Sequence, residues 1–319
     1  MILSQNIPLK KYSNFKIGGP ASYFYEFRTK EDLINALREW RDMGGKVNNI
    51  FILGSGTNIL WNDDPFEGLV LKDSSSFIKR EKGLVIVDAG TLMPDLVGFC
   101  TQNSLSGLEW AGGLPGTVGG AIRGNAGAFL GEIGDSVWQV ESLDIRTLEI
   151  QVRSREECNF GYRQSVFKNE EGRRPEGSAR REIILSVKFK FKKGNAEEIK
   201  RSTQEKIDYR IDRHPLDLPN IGSTFKNVNL KKVSKKVAKE FEKSIKPDPF
   251  PVVPAAKLLV GVGLRGKIIG GAQFSERHPN FIVNFNNAKA TDVKELIALA
   301  KKEVKEKYNI DLEEEIMII

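Results

Sequence analysis

Nine glycines crowd into the 23 residues from Gly112 to Gly134, and no other stretch of the chain restricts its fold as strongly. Glycine weakens the interior of a helix or a strand, so such a segment reads as loops. Successive main-chain N–H groups in these loops can converge on one point and make a concavity for phosphate oxygens. A smaller cluster, Gly54-Ser55-Gly56-Thr57-Asn58, follows the short apolar run 49–53. A lone Gly-x-Gly is most often a tight turn, whereas the density of the second cluster favours a ligand cradle. Neither standard α/β phosphate device is present. Ile59 stands where a dinucleotide fingerprint beginning at Gly54 needs glycine. The literal GxGxxG at 261–266 runs into the strand-like Lys267-Ile268-Ile269 instead of a helix, and no GxxxxGK[ST] occurs.

The 319 residues suffice for about two domains. The formal charge of +7 favours anionic ligands such as nucleotides, phosphosugars or nucleic acid. Cys100 and Cys158 make neither a disulfide scaffold nor a CxxC pair, and two histidines, His214 and His278, cannot assemble a multi-histidine zinc site. No metal is therefore expected. The start MILSQNIPLKKYSNF lacks the apolar run of a secretory signal, and no run of about 18 apolar residues is present, so the expected location is cytoplasmic.

The pattern predicts an α+β chain. Residues 23–27 alternate as a strand, Thr29 caps a helix over 30–43 with Leu33, Leu37 and Trp40 on one face, and Gly44-Gly45 stops it. Strands are expected at 49–53, 68–71, 84–89, 137–145 and 183–191, then a polar helix at 196–213. Further on come a strand at 266–274, another at 281–284, a helix from Thr291 with an apolar stripe from Val293 to Tyr308, and a last strand over 311–319. The expected organisation is a first region 1–193, divided into a small α/β part (1–72) and a strand-rich part (73–193), a connecting helix 194–213 and a second domain 214–319.

Several motifs recur in one order along nearly the whole chain. They are Asn14-Phe15-Lys16-Ile17-Gly18-Gly19, the two glycine clusters, Gly161-Tyr162-Arg163-Gln164-Ser165-Val166-Phe167-Lys168, Gly222-Ser223-Thr224-Phe225-Lys226-Asn227, Ile269-Gly270-Gly271-Ala272, Asn280-Phe281-Ile282-Val283-Asn284 and Leu312-Glu313-Glu314-Glu315-Ile316. Together they resemble the UDP-N-acetylenolpyruvoylglucosamine reductase family, and the GYRxSxFK and GSxFKN segments at this separation are the specific part. The resemblance implies an FAD-binding region of the vanillyl-alcohol-oxidase type followed by a smaller α+β substrate-binding domain. It also implies non-covalent FAD, NADPH as hydride donor, and reduction of an enolpyruvyl UDP-sugar to UDP-N-acetylmuramate for peptidoglycan. No nucleic acid, membrane or obligate protein partner is implied. The short connection between Arg163 and the strand at Ile183 is similar to the family's second type.

By the same resemblance, Gly54, Ser55, Gly56, Thr57 and Asn58 would meet the FAD diphosphate, and Gly119, Gly120, Asn125, Ala126, Gly127 and Ala128 would lie along the flavin. Ser223 would be the proton donor at C2, although a serine after an isolated glycine is ordinarily a turn residue. A serine is a poor acid, so a polar partner or water chain is expected beside it. Arg163 would face the carboxylate and developing enolate, because a guanidinium keeps its charge and binds bidentately. Glu315 matches the family's catalytic glutamate. Alternation along a strand would place it on the face of Met317 and Ile319, the bland alternative being a charged strand edge. Tyr162, Arg213, Lys226, Asn227, His278 and Asn280 are the candidates for substrate binding, with Arg213, Lys226 and His278 as the cations.

The sequence departs from the family after Asn227, where Val228 replaces the usual proline and a lysine-rich segment follows. Leu230, Val233, Val237 and Phe241 recur at helical spacing there, which predicts an inserted amphipathic basic helix near 229–246. That insert and the positive charge leave a rival reading, a nucleic-acid-binding module, although no aromatics interleave its lysines. A third reading is another flavin oxidoreductase of the same superfamily.

Overall fold

The computed structural model describes residues 2–168, 182–247 and 250–319. Two compact units emerge, and they are interleaved in sequence. The first holds Met1–Ile7, Ala21–Ser55 and Glu67–Tyr209, the second Pro8–Pro20, Gly56–Phe66 and Arg210–Ile319. The single division at 194–213 expected from the sequence therefore leaves out two N-terminal segments that pack with the C-terminal half. Phe15, Ile17 and Leu60 show why, since all three are buried in the core made by the C-terminal residues.

The first unit has two sheets. In the smaller, the strands run in the order Ser4–Pro8, Pro20–Phe27, Phe66–Asp73 and Ile50–Leu53, the last pair parallel. Helix Lys30–Asp42 covers it, started by a capping box in which Thr29 accepts from the Asp32 amide. Leu33, Ala36, Leu37 and Trp40 of that helix are buried with Leu69 and Leu71, and with Leu143, Ile145 and Ile183 from the strand-rich part. The larger sheet has five antiparallel strands in the order Ile150–Ser154, Val137–Asp144, Glu182–Phe189, Leu84–Asp88 and Ile78–Glu81. On it pack two helices that the sequence reading lacked, Met93–Gln102 and Val118–Gly124, through Met93, Leu96, Val97, Val118 and Ile122. Pro94 and Gly98 disguise the first, but proline is tolerated in a first helical turn. The second lies inside the glycine cluster, so that cluster is loop, helix and hairpin.

In the second unit, strands Asn220–Ser223, Phe281–Asn284, Ala272–Phe274 and Ile268–Ile269 form a sheet beneath helix Ala290–Tyr308. The single strand expected over 266–274 is a hairpin, turned at Gly270, whose φ of +52° suits glycine. The strand expected over 311–319 shrinks to Met317–Ile318, paired in parallel with Ile59–Leu60. The basic insert is also broken. A 3-10 turn at Leu230–Lys232 precedes helix Lys235–Glu240, because Ser234 accepts from the Val237 amide and starts the helix afresh. Its apolar stripe packs against the core as the spacing implies. Among the described residues, no helix is long and apolar enough to cross a membrane.

Candidate active site

In the first unit Gly54, which opens the first glycine cluster, meets the second. A Cβ on Gly54 would lie 2.6 Å from Thr117 Oγ1, so only glycine permits this approach. Thr117 is the N-cap of helix Val118–Gly124, accepting from the Gly120 amide at 3.3 Å. Thr117 is not among the residues expected from the sequence, although a threonine just before a helix is a common cap. The amides of Val118 and Gly119 donate to the carbonyls of Thr91 and Ala89 at 2.8 and 2.7 Å. Those donors, with the Gly120 amide, are spent within the chain, so the first turn of this helix offers no free amide at 118–120.

The first cluster differs. Among the described residues, the amides of Ser55, Gly56, Thr57 and Asn58 find no acceptor, and the buried Ser55 hydroxyl has no partner. A buried hydroxyl left unsatisfied costs about 1–3 kcal/mol, and unpaired amides in a glycine turn suit phosphate oxygens. These residues therefore fit the diphosphate of FAD. Asn58 has a second task, since its side-chain amide donates to the Glu315 carbonyl at 3.1 Å.

Asn125 is fully buried in left-handed backbone, with φ +42°. Its side chain donates to the Gly161 carbonyl at 2.9 Å and accepts from the Gly134 amide at 3.1 Å, so it clamps two loops together. Ala126 is tied to Ala121 and Ile133, and Gly127–Ala128 pairs with Gly131–Glu132 as a hairpin. Arg163 occupies a tight turn closed by reciprocal 3.0 Å bonds between Gly161 and Gln164. Its φ of +55° is uncommon for a residue with a side chain. One guanidinium nitrogen donates to the Gly127 carbonyl at 2.8 Å, and the group lies 5.1 Å from the ring centre of Tyr162. The chain thus links Arg163 to the hairpin carrying Gly127 and Ala128. The connection from Lys168 to Glu182, on which the subtype reading leaned, runs through 169–181, outside the described residues.

The second unit gathers Ser223, Lys226 and Glu315. Phe225 pairs with Glu314 in an antiparallel bridge. On either side of it the Lys226 amide donates to the Glu313 carbonyl at 2.9 Å, and the Glu315 amide to Thr224 at 2.8 Å. Ser223, half-buried, follows Gly222 (φ +84°) and stands opposite Phe281 in the sheet. Among the described residues no hydrogen bond reaches its hydroxyl, so the polar partner expected for it is missing there. The three glutamates divide their work. Glu313 is paired with Lys226 at 3.4 Å and Lys232 at 3.0 Å, Glu314 is paired with Lys301, and Glu315 is half-buried. The Lys232 bond first, with both lysine charges, holds the Glu313 carboxyl below its usual range. Glu315 does not alternate with Met317 and Ile319 as in a strand, because the chain bends at 315 and 316.

Of the remaining candidates, Asn280 and Asn227 bond to main chain. Asn280 is 3% exposed and embraces Phe225, accepting from its amide at 3.1 Å and donating to its carbonyl at 2.8 Å. Asn227 accepts from the Ala255 amide at 3.1 Å, at the start of helix Ala255–Gly261. Arg213 is exposed at the end of helix Ala196–Arg213. His278 is not the cation the sequence implied. Burial, followed by the charge of Lys246, pushes it down to about 4. His214, 5.4 Å away centre to centre, also falls to about 4, first by burial and then through His278, Arg210 and Lys246. Both rings are neutral at physiological pH.

Two family models and several known proteins match the chain. Residues 214–319 match the model for the C-terminal domain of UDP-N-acetylenolpyruvoylglucosamine reductase, and residues 21–147 match that for an FAD-binding domain. A UDP-N-acetylenolpyruvoylglucosamine reductase from Caldanaerobacter subterraneus is 36% identical, the match covering 98% of this chain and 92% of the relative. That of Thermotoga maritima is 38% identical, over 97% and 96%. The crystal structure of the Thermus caldophilus reductase superposes with a TM-score of 0.73 at 31% identity, covering 99% of this chain and 98% of the other. The protein is an FAD-dependent oxidoreductase that belongs to the UDP-N-acetylenolpyruvoylglucosamine reductase family.

Proposed function

We propose that this chain reduces UDP-N-acetylglucosamine enolpyruvate to UDP-N-acetylmuramate with NADPH, in the supply of peptidoglycan precursors. The observation that carries the reading is the backbone pairing of Thr224–Lys226 with Glu313–Glu315, which brings the candidate proton donor Ser223 beside the candidate glutamate Glu315 in one unit. The amides of Ser55, Gly56, Thr57 and Asn58 and the Ser55 hydroxyl would hold the FAD diphosphate. Bound FAD supplies the means of passing hydride from NADPH to C3 of the enolpyruvyl group.

Negative charge then develops over C2 and the carboxylate. A guanidinium such as Arg163 stabilises it without titrating at any working pH. The Ser223 hydroxyl delivers its proton to C2 as the C–H bond forms, and the serine recovers a proton from solvent. Hydrogen bonding or charge from Glu315 would orient the group that receives or relays that proton. Lys226 and Arg213 supply positive charge for the substrate diphosphate, with Tyr162 and Asn227 as further contacts, whereas His278 can contribute only as a neutral hydrogen-bonding ring.

The test is NADPH oxidation by flavin-loaded protein with and without the enolpyruvyl UDP-sugar. The reading expects consumption only with the sugar nucleotide and UDP-N-acetylmuramate as product; protein that binds no FAD, or oxidises NADPH without regard to the sugar, would sink it.

A further inference from the structure

The first unit contains a buried carboxylate with no part in the proposed chemistry. Asp73 ends strand Phe66–Asp73 and is 5% exposed. Its Oδ1 accepts from the Ser75 amide at 3.0 Å and from the Ser75 hydroxyl at 2.7 Å. The Ser75 hydroxyl in turn accepts from the Gly90 amide at 3.1 Å. Lys72 does not neutralise the carboxylate directly, because its ammonium donates to the Asp73 carbonyl and the Ser74 hydroxyl. Burial raises Asp73 from its ordinary range, and the two Ser75 bonds pull the other way.

Sealing such a group inside the fold is costly, and a turn alone does not need it. A carboxylate differs from an amide in being an acceptor only. It forces the Ser75 hydroxyl to donate toward Asp73, which leaves the serine lone pair facing Gly90. The residues on either side of Gly90 carry the effect onward. Ala89 accepts from the Gly119 amide and Thr91 from the Val118 amide, and Thr117, one residue earlier, is the side chain against Gly54. Gly90 has no slack, since a Cβ there would lie 2.5 Å from Asp73 Oδ1.

The geometry points to Asp73 as a positioning residue for the flavin cradle: through Ser75 and Gly90 it sets where Thr117–Gly120 stands against Gly54, and so sets the affinity for FAD. This inference rests on FAD being the ligand of the glycine clusters. The relay acts as one unit, so breaking either link has the same consequence as breaking both.

The experiment is titration of flavin-free protein with FAD, followed by flavin fluorescence quenching, for wild type, Ser75→Ala, Asp73→Ala, which removes the accepting oxygen, and the double variant. The thermal midpoint of each apoprotein is measured in parallel. Glu182→Gln serves as the reference for a merely structural loss, because it weakens the buried Arg153–Glu182 pair elsewhere in the same unit. The expected result is an FAD dissociation constant raised about tenfold in both single variants and no further in the double variant. Glu182→Gln should lower the midpoint and leave FAD affinity within about twofold. Single variants that bind FAD like wild type, or whose loss of affinity matches that of Glu182→Gln at equal loss of midpoint, would overturn the role of Asp73. Should Asp73→Ala fail to fold, Ser75→Ala and Ser75→Cys decide the matter alone. Wild-type protein that binds no FAD would overturn the flavin reading itself, an outcome read from a different sample.

Discussion

The main-chain amide of Glu315 donates to the carbonyl of Thr224 at 2.8 Å, so the residue after Ser223 and the candidate glutamate are neighbours held by backbone. Their relative placement does not depend on either side chain, and each can be altered without separating the segments. Ser223→Ala should leave reduction of bound flavin by NADPH within about twofold of wild type and slow turnover of the sugar nucleotide by about 10²–10⁴-fold, the usual range for losing a positioned proton donor. Stopped-flow measurement of the two half-reactions checks this. Equal loss in both would remove Ser223 from proton transfer.

Arg163 holds left-handed backbone and spends one guanidinium nitrogen on the Gly127 carbonyl. Lysine keeps the charge but not the planar fork that can reach a carbonyl and an anion together. Arg163→Lys should therefore lower kcat/KM by at least about tenfold while the thermal midpoint moves by no more than about 3 °C, since the residue is only half-buried. Steady-state kinetics and thermal melts on the same preparation decide. Unchanged kcat/KM would show that charge alone suffices.

What the sequence made legible was whatever local pattern dictates. The cap at Thr29, the stripe Leu33, Leu37 and Trp40, and the apolar face from Leu230 to Phe241 can all be read by spacing. The glycine density concealed helix Val118–Gly124, where Gly119 also answers to close approach on Ala89. Glu313 and Glu314 looked alike beside Glu315, and only tertiary pairing with Lys226, Lys232 and Lys301 separates their roles. The interleaving of the units was illegible for the same reason, because the burial of Phe15 and Leu60 depends on core residues from 221 onward, far along the chain.

His214 and His278 make stability depend on acid in a definite direction. Each is held at about 4 in the fold against an ordinary 6.5, so the unfolded chain binds more protons between those values. Their contribution is complete above about pH 6.5 and is lost as the pH falls toward 4. Allowing for the partial exposure of His214, the pair accounts for on the order of 1–3 kcal/mol. The thermal midpoint should drop by several degrees between pH 7 and pH 5, and His278→Asn should flatten that slope. An identical pH slope in the variant would exclude His278 as a source.

Gly54 offers the sharpest test of how the two clusters meet. A methyl group there would press on Thr117 Oγ1 at 2.6 Å, and Thr117 cannot yield without releasing the Gly120 amide that it caps. Overpacking of this kind costs about 1–3 kcal/mol, and here it falls on the loop that carries Ser55. Gly54→Ala should lower the thermal midpoint by a few degrees and weaken FAD binding by more than that destabilisation alone would cause. Adding Thr117→Ala removes the clashing oxygen at the expense of the cap, which is worth about 1 kcal/mol. The double variant should therefore recover FAD affinity while regaining little stability. Titration of flavin-free protein reads the first quantity and a thermal melt the second; a double variant no better at binding FAD than Gly54→Ala would show that the contact does not govern the cradle.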